Sequence, residues 1–406
     1  MIKQEKNHKS SFIAAIILVA FLIILTLLET FGSQFPEGFL RKTFSSTSML
    51  YTVLKKGATY ALVTVSMNLL NGFTGLFSLG QAGFMLLGAY TYGILTIPSA
   101  ARDDVYYLHG GSAINFSTQE IFGSLFGNSG VGGAVSLILG VLIAIICAGL
   151  VAAFFAYLIG LPVLRLKSDY LAIATLGFAE IIRAVFQWDK LAPITNGANM
   201  LKSYPTFSSF NITNSNGDVI LRLSTVVPFL IAGVCIWIIV LLINSSYGRA
   251  FKAIREDETA AEAMGINLAK HKRLSFCISS FFAGVGGAML AMYASTVQAK
   301  TFTSAMTYEL LLIVVIGGIG SVSGSCIASF LYIACSEWWL RFLDNEIILS
   351  NGFKVPLLRN SFRMVVFSVV IMIIVLFFRR GIMGNKELPD LFKRRRKKPE
   401  QQEAAK

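Results

Sequence analysis

Charge is scarce in this chain. Asp, Glu, Lys and Arg together supply 14% of its 406 residues, where soluble domains carry roughly 25%. That excludes an ordinary soluble fold, whose water-facing surface needs more polar cover. Histidine is rarer still. His8, His109 and His271 stand far apart, so no metal site can be read from them. The cysteines at 147, 235, 277, 326 and 335 all fall inside apolar runs, without metal-ligand spacing. They read as small buried hydrophobes. No Ser-His or Cys-His set is suggested, and a membrane enzyme would need converging nucleophile, base or metal ligands. A G-x-x-x-x-G-K-[ST] phosphate cradle is also missing, so the chain is not expected to bind ATP itself. The alternating pattern of a membrane β-barrel is absent as well.

What is present is apolar. Hydrophobic residues make up 55% of the chain and the mean hydropathy is +0.67. Several runs reach the ~20 residues that span a bilayer as helix. These features define an all-α polytopic integral membrane protein. Helices are expected near 11–31, 54–71, 77–97, 131–160, 168–187 and 222–243, then near 274–296, 307–337 and 361–378. The run at 11–31 follows a basic start and lacks a small-residue cleavage site, so it reads as a retained first helix. The loops at 98–130 and 188–221 are polar and rich in Gly, Ser and Asn.

Lysine and arginine set the expected orientation. The segment 1–10 has net charge +2, the polar island 247–273 has +2 and the tail 379–406 has +6. The loops 98–130 and 188–221 have −2 and 0. Both termini and the island are therefore expected in the cytoplasm. The domain reading is a short N-terminus (1–10), a transmembrane domain (11–378) with a cytoplasmic loop at 248–273, and a basic tail (379–406). The net charge of +13 is mostly a topology signal. Because the basic residues flank membrane spans, nucleic acid is not an expected partner, whereas the lipid bilayer is.

This orientation requires 307–337 to start and end on the outer side. Its centre, IGGIGSVSGS (Ile316 to Ser325), is rich in glycine. A break between two half-helices fits, since irregular backbone at membrane depth is tolerated where protein or a water-filled cavity covers it. About ten transmembrane or half-membrane helices are then expected. One tilted helix over 307–337 would instead leave the basic tail outside.

The island GRAFKAIREDETAAEAMGINLAKHKR (Gly248 to Arg273) is polar and rich in helix formers. Phe251, Ile254, Ala261 and Met264 recur at helical spacing, interrupted by Glu258. Gly265 marks a possible stop, with Asn267 in a turn beyond it. Periodicity leaves three roles open: a solvated loop, an amphipathic helix lying on the membrane, or a helix docking into a partner.

Continued to Ala291, the island resembles the coupling region of ABC-importer permeases. It is most similar to the branched-chain amino acid permease family. Ala260, Ala261 and Gly265 fit the E-A-A-x-x-x-G pattern of such permeases; Thr259 stands at its Glu position, with Glu258 one place earlier. Three further stretches resemble the same family in the same order: MNLLNGFTGLFSLGQAGFMLLGAYTYGIL (Met67 to Leu95), LPVLRLKSDYLAIATLGFAEIIRAVF (Leu161 to Phe186) and YELLLIVVIGGIGSVSGSCIASFLY (Tyr308 to Tyr332). Their order is that of the M-type subunit.

The resemblance implies a non-enzymatic permease of a bacterial inner-membrane importer. It implies as partners a homologous H-type permease, two ABC ATPase subunits carrying ATP-Mg, and an extracytoplasmic substrate-binding protein. Coupling to the ATPase would fall to Arg255, Glu258, Ala260, Ala261 and Gly265. Leu, Ile and Val are the implied substrates, and close relatives carry urea or short amides. SLGQAG (Ser78 to Gly83) echoes the ABC ATPase signature loop but opens an apolar helix here.

Polar groups inside apolar helices are costly and usually face a bundle interior. Asn68, Ser78 and Gln81, with Asn71, cluster near a glycine-rich break. Glu180 lies one turn from Arg183, and Glu309 opens the run before IGGIG. Asn68, Ser78, Gln81, Glu180 and Glu309 are the candidates for a translocation path. Interhelical hydrogen bonds, an ion pair and an interfacial acid are the structural alternatives. Gly72, Gly75, Gly80, Gly83 and Gly88, and later Gly284, Gly286 and Gly287, are expected to let helix backbones approach closely. The last three also allow a bend after the coupling helix. A self-contained secondary carrier would show inverted repeats; none is evident, and the island would have no role in it.

Overall fold

The computed structural model describes residues 20–32, 39–45, 48–127, 130–166, 168–213 and 219–340, with isolated positions among 366–372 and 381–387. The expected N-terminus at 1–10, the start of the first run, most of the 361–378 helix and most of the tail lie outside the described residues.

The described chain is helical almost throughout. α1 (Ala20–Phe31) and the short α2 (Phe39–Phe44) lead into α3 (Met49–Asn68). α3 continues as a π-helical turn, Leu69–Phe73. After an irregular stretch over 74–80 come α4 (Gln81–Thr96), α5 (Ser99–Val105), α6 (Thr118–Phe126) and the long α7 (Gly130–Val163). α8 (Ser168–Phe186) and α9 (Ala192–Thr195) follow. A two-stranded ribbon, β1 (Ile212–Thr213) with β2 (Val219–Leu221), precedes α10 (Val226–Asn244). Then come α11 (Ser246–Glu256), α12 (Glu258–Ala263), α13 (Leu268–Ala294), α14 (Ser304–Gly317) and α15 (Val322–Ile333). Among the described helices, α7, α10 and α13 are long and apolar enough to cross a membrane.

Small residues set the packing at the centre. On α7 the buried side includes Ser136, Gly140, Ala144, Ala148, Ala152, Ala156 and Gly160, every fourth residue. The opposite side exposes Ile138, Leu142, Ile146, Leu150, Phe154 and Leu158, apolar surface suited to lipid. α13 lies against the small-residue side and brings its own glycines. A methyl at Gly284 would sit 2.6 Å from Ala152 Cβ, and one at Gly88 on α4 would sit 2.0 Å from the Gly284 carbonyl oxygen. At Gly287 it would meet the Met85 carbonyl at 2.0 Å, and at Gly286 the Val63 side chain at 2.3 Å. α13 therefore touches α3, α4 and α7 at near-backbone distance. It runs as one helix through these glycines, so they serve contact and no break occurs there.

The island differs from a single helix. Asp257 adopts an extended conformation (φ −157°, ψ 114°), and its side chain accepts from the Thr259 and Ala260 amides at 2.8 and 3.0 Å. That N-cap starts α12 and turns the chain sharply after α11. The corner also breaks the helical phase across the island. Phe251, Ile254 and Ala261 are buried, but Met264 is 83% exposed, which corrects its expected place on their face. Gly265, at φ +83°, ends the segment, and Asn267 caps α13 through the Lys270 amide at 2.9 Å.

The run at 307–337 is broken. α14 stops at Gly317 and α15 starts at Val322, with Gly318 and Gly320 at φ +114° and +90°. This left-handed backbone is open to glycine at little cost. Contacts fix the direction of the two halves. The break lies against Arg255 of the island. At the far ends, Glu337 beyond α15 pairs with Lys56 near the start of α3, and Glu309 in the first turns of α14 shares a cavity with the same lysine. The two half-helices thus start and end at the end of the bundle remote from the island.

Candidate functional site

Two sites occupy opposite ends of this bundle. At the island end, the π-helical turn after α3 and the α14–α15 break come together. Asn68 is fully buried and holds the break by both faces of its amide. Its Nδ2 donates to the Ser321 carbonyl at 2.9 Å and to Ser325 Oγ at 2.8 Å. Its Oδ1 accepts from the Gly320 amide at 2.9 Å. Arg255 approaches from α11, and its Nη1 donates to the Gly72 carbonyl at 2.8 Å. A side chain at Gly320 would strike the same guanidinium 2.8 Å away. One arginine from the island is therefore bonded to the π-helical turn and lies beside Gly320 of the α14–α15 break.

The tail adds a third strand of contacts. The Ile382 and Met383 amides donate to the Ile316 and Gly317 carbonyls. Glu387 accepts from the Val322 and Ser323 amides at 2.7 and 3.0 Å and from the Ser323 hydroxyl. A carboxylate on the first amides of α15 satisfies otherwise orphaned donors and complements the helix dipole. Sequence reading missed Glu387, because an acid in a basic tail gives no sign of a partner 65 residues earlier.

Asn68→Leu is expected to destabilise this junction strongly. Leucine leaves the Gly320 amide without its partner, a buried orphan costing about 1–3 kcal/mol, and removes a donor from Ser325 Oγ, which keeps its bond to the Ser321 carbonyl. The expected result is a fall in thermal midpoint and in the yield of monodisperse protein. A midpoint equal to wild type would refute the clamp.

At the opposite end, a cavity of about 330 Å³ lies between α3, α13 and α14. Lys56 and Tyr60 line it from α3, Glu309 from α14, and Leu290, Val297 and Met306 supply apolar wall. The Lys56 ammonium pairs with Glu337 at 2.5 Å. Next to it, Lys55 reaches Glu29 of α1 at 3.2 Å and Ser224 Oγ at 2.6 Å. The two lysines therefore tie α3 to three other segments. Their position within α3 was the available signal for them.

The expected path residues do not form one constellation. Glu309 lines the cavity. Asn68 serves the junction, and Ser78 closes the stretch before α4, its amide donating to Asn71 Oδ1 at 3.2 Å. Gln81 Nε2 donates to Ser66 Oγ at 2.9 Å, while Ser279 of α13 donates to the Ser66 carbonyl at 2.7 Å. Glu180 pairs with Arg183 at 2.5 Å on α8, both about one-third exposed. Of the expected coupling residues, Arg255 enters the junction and Ala261 is buried. Glu258 pairs with Lys272 at 2.6 Å, and Ala260 and Gly265 are exposed beside Met264. No group of metal-ligating side chains occurs among the described residues.

These features define an all-α, multi-pass membrane protein with a polar loop packed against a π-helical turn and a broken helix pair. The sequence profile of the family described as "Branched-chain amino acid transport system / permease component" matches residues 49–376. The chain belongs to this family. It is 30% identical over 316 residues to the high-affinity branched-chain amino acid transport system permease protein LivM of Salmonella typhimurium. That match covers 73% of this chain and 65% of the relative, so the chain spans just under two-thirds of that protein's length. The probable branched-chain amino acid transport permease protein LivM of Methanocaldococcus jannaschii is 23% identical over 354 residues, covering 84% of this chain and 95% of that one. The probable LivH permease of the same organism is 26% identical over 191 residues, covering 45% and 57%. No solved structure matches the chain.

Proposed function

We propose that this chain is a membrane-spanning permease subunit of an ATP-driven ABC importer for branched-chain amino acids. It works beside a homologous LivH-like permease, two ATPase subunits that bind ATP-Mg, and an external substrate-binding protein. The chain itself carries no catalytic step. The observation that carries this reading is the island. Its tip, at and just after α12, offers an exposed methionine and small residues, while its base is bonded through Arg255 to the Gly72 carbonyl, beside Gly320 of the α14–α15 break. A rigid body seated on the tip would move Arg255, and with it the Gly72 carbonyl and the α14–α15 break. ATP-driven closure of the ATPases would supply that motion, because a ligand shifts a conformational equilibrium only through its differential affinity for the two states. The basic island and the 381–387 segment meet at one end of the bundle, which supports a cytoplasmic placement of that end in the inner membrane.

The test is gentle purification of the tagged chain from native membranes. A second permease and two ATPase subunits should accompany it. Met264→Asp should lower ATPase recovery at least tenfold, about 1.4 kcal/mol of docking free energy, with permease yield unchanged. Recovery of the wild-type chain alone, even after crosslinking through the island, would refute the importer reading. Undiminished ATPase recovery with Met264→Asp would remove α12 as the docking element.

A further inference from the structure

The cavity remote from the island sets a cation and an anion on different helices. Lys56 stands on α3 and Glu309 on α14, with Leu290, Val297, Phe302 and Met306 supplying apolar wall. Glu337 holds the Lys56 ammonium in place at 2.5 Å. Among the described residues, no hydrogen bond or ion pair reaches the Glu309 carboxylate. A half-buried carboxylate whose neighbouring cation, Lys56, is already paired with Glu337 is unfavourable, and a ligand ammonium would relieve that cost. A ligand carboxylate would find its donor in Lys56, which keeps hydrogen-bonding capacity beyond its bond to Glu337. The volume, about 330 Å³, lies at the lower end of the range of small-molecule sites, ~300–1,000 Å³.

We propose that this cavity is a binding subsite for a neutral aliphatic α-amino acid: Glu309 takes the ammonium, Lys56 takes the carboxylate, and the apolar wall takes the side chain. Glu337 is a positioning residue for Lys56. Urea carries neither charge and forms neither ion pair. The choice of an amino acid over another aliphatic zwitterion rests on the proposed transport function; the placement of the two charges does not.

The test is equilibrium binding of radiolabelled leucine to the full chain, purified with the subunits that accompany it, in lipid nanodiscs without nucleotide or binding protein. Two competitors separate the charges: 3-methylbutylamine, which lacks the carboxylate, and 4-methylpentanoate, which lacks the amine. Leucine should bind saturably to wild type. Glu309→Gln should weaken leucine at least tenfold and abolish competition by the amine while sparing the acid. Lys56→Met should show the reverse selectivity. Ala305→Trp, at an exposed position in the lining, should block binding by bulk alone, which keeps the proposal open to refutation if a charge variant fails to fold. Leucine binding that is absent in wild type, or equal to wild type in the folded variants, overturns it. The described binding pattern in a protein with no ATP-driven leucine uptake would leave the subsite standing and remove the importer reading. Intact uptake with leucine binding indifferent to the variants would do the opposite.

Discussion

Under the proposed function, Arg255→Ala is expected to reduce ATP-driven leucine uptake by at least tenfold while the chain still reaches the membrane and still binds the ATPase subunits. The guanidinium donates to the Gly72 carbonyl at 2.8 Å and lies against Gly320. A hydrogen bond from a charged donor is worth about 1.5–3 kcal/mol, roughly 10–100-fold in an equilibrium at 1.4 kcal/mol per tenfold. The exposed tip around Met264 is untouched by the substitution, so docking should survive. ATP hydrolysis should therefore continue without transport. Arg255→Lys should rescue little, because a single ammonium cannot reproduce a planar guanidinium that bonds the Gly72 carbonyl while lying against Gly320. Uptake within twofold of wild type, measured in inside-out vesicles or reconstituted liposomes, would show that the junction does not carry the motion.

Gly88→Ala should nearly abolish folded protein. The added methyl would meet the Gly284 carbonyl oxygen at 2.0 Å and the Gly284 Cα at 2.5 Å. These are backbone atoms and cannot rotate aside, so α4 and α13 would have to separate. Overpacking alone costs about 1–3 kcal/mol and occasionally more. Here the separation also disturbs the seat of α7, whose Ala148 and Ala152 press on Gly284 from the other side. Gly177→Ala on α8 is the matched control, since nothing lies within 4 Å of the new methyl; its effect should stay within about 0.5 kcal/mol. Size-exclusion profiles and thermal midpoints of the two variants decide the matter. Equal behaviour would mean that the three-helix contact is not as close as described.

Much of this was legible in the sequence, for physical reasons. The break in 307–337 could be read because left-handed backbone favours glycine, and Gly318 and Gly320 adopt it. The close approach of α13 could be read because small residues cluster there. The Asp257 corner could not. Within REDETAAEA every residue is compatible with helix, and only the side chain folding back onto two amides stops α11. Asn68 and Gln81 were visible as buried polar groups, but not their partners. Burial obliges such groups to be satisfied; the atoms that satisfy Asn68 lie 253 residues away at Ser321, and those of Gln81 on the preceding helix at Ser66. Sequence distance likewise hid the ion pair of Lys56 with Glu337, 281 residues apart, and with it the cavity at the end of α3 remote from the island.

α3 has a property that neither of its ends shows alone. Lys56 stands at the cavity, and Asn68 with Gly72 at the junction, about 12 to 16 residues and ~18–24 Å further along the same rod at 1.5 Å per residue. α14 runs beside it with Glu309 near one end and the break at the other. Under the proposed function, two stiff members join the amino acid chamber to the ATPase socket. Whatever factor separates the affinity of the chamber in the docked and undocked states must also separate the affinity of the socket in the filled and empty states. The helix pair would then act as a gauge, reporting to the ATPases whether there is cargo to move before any ATP is split.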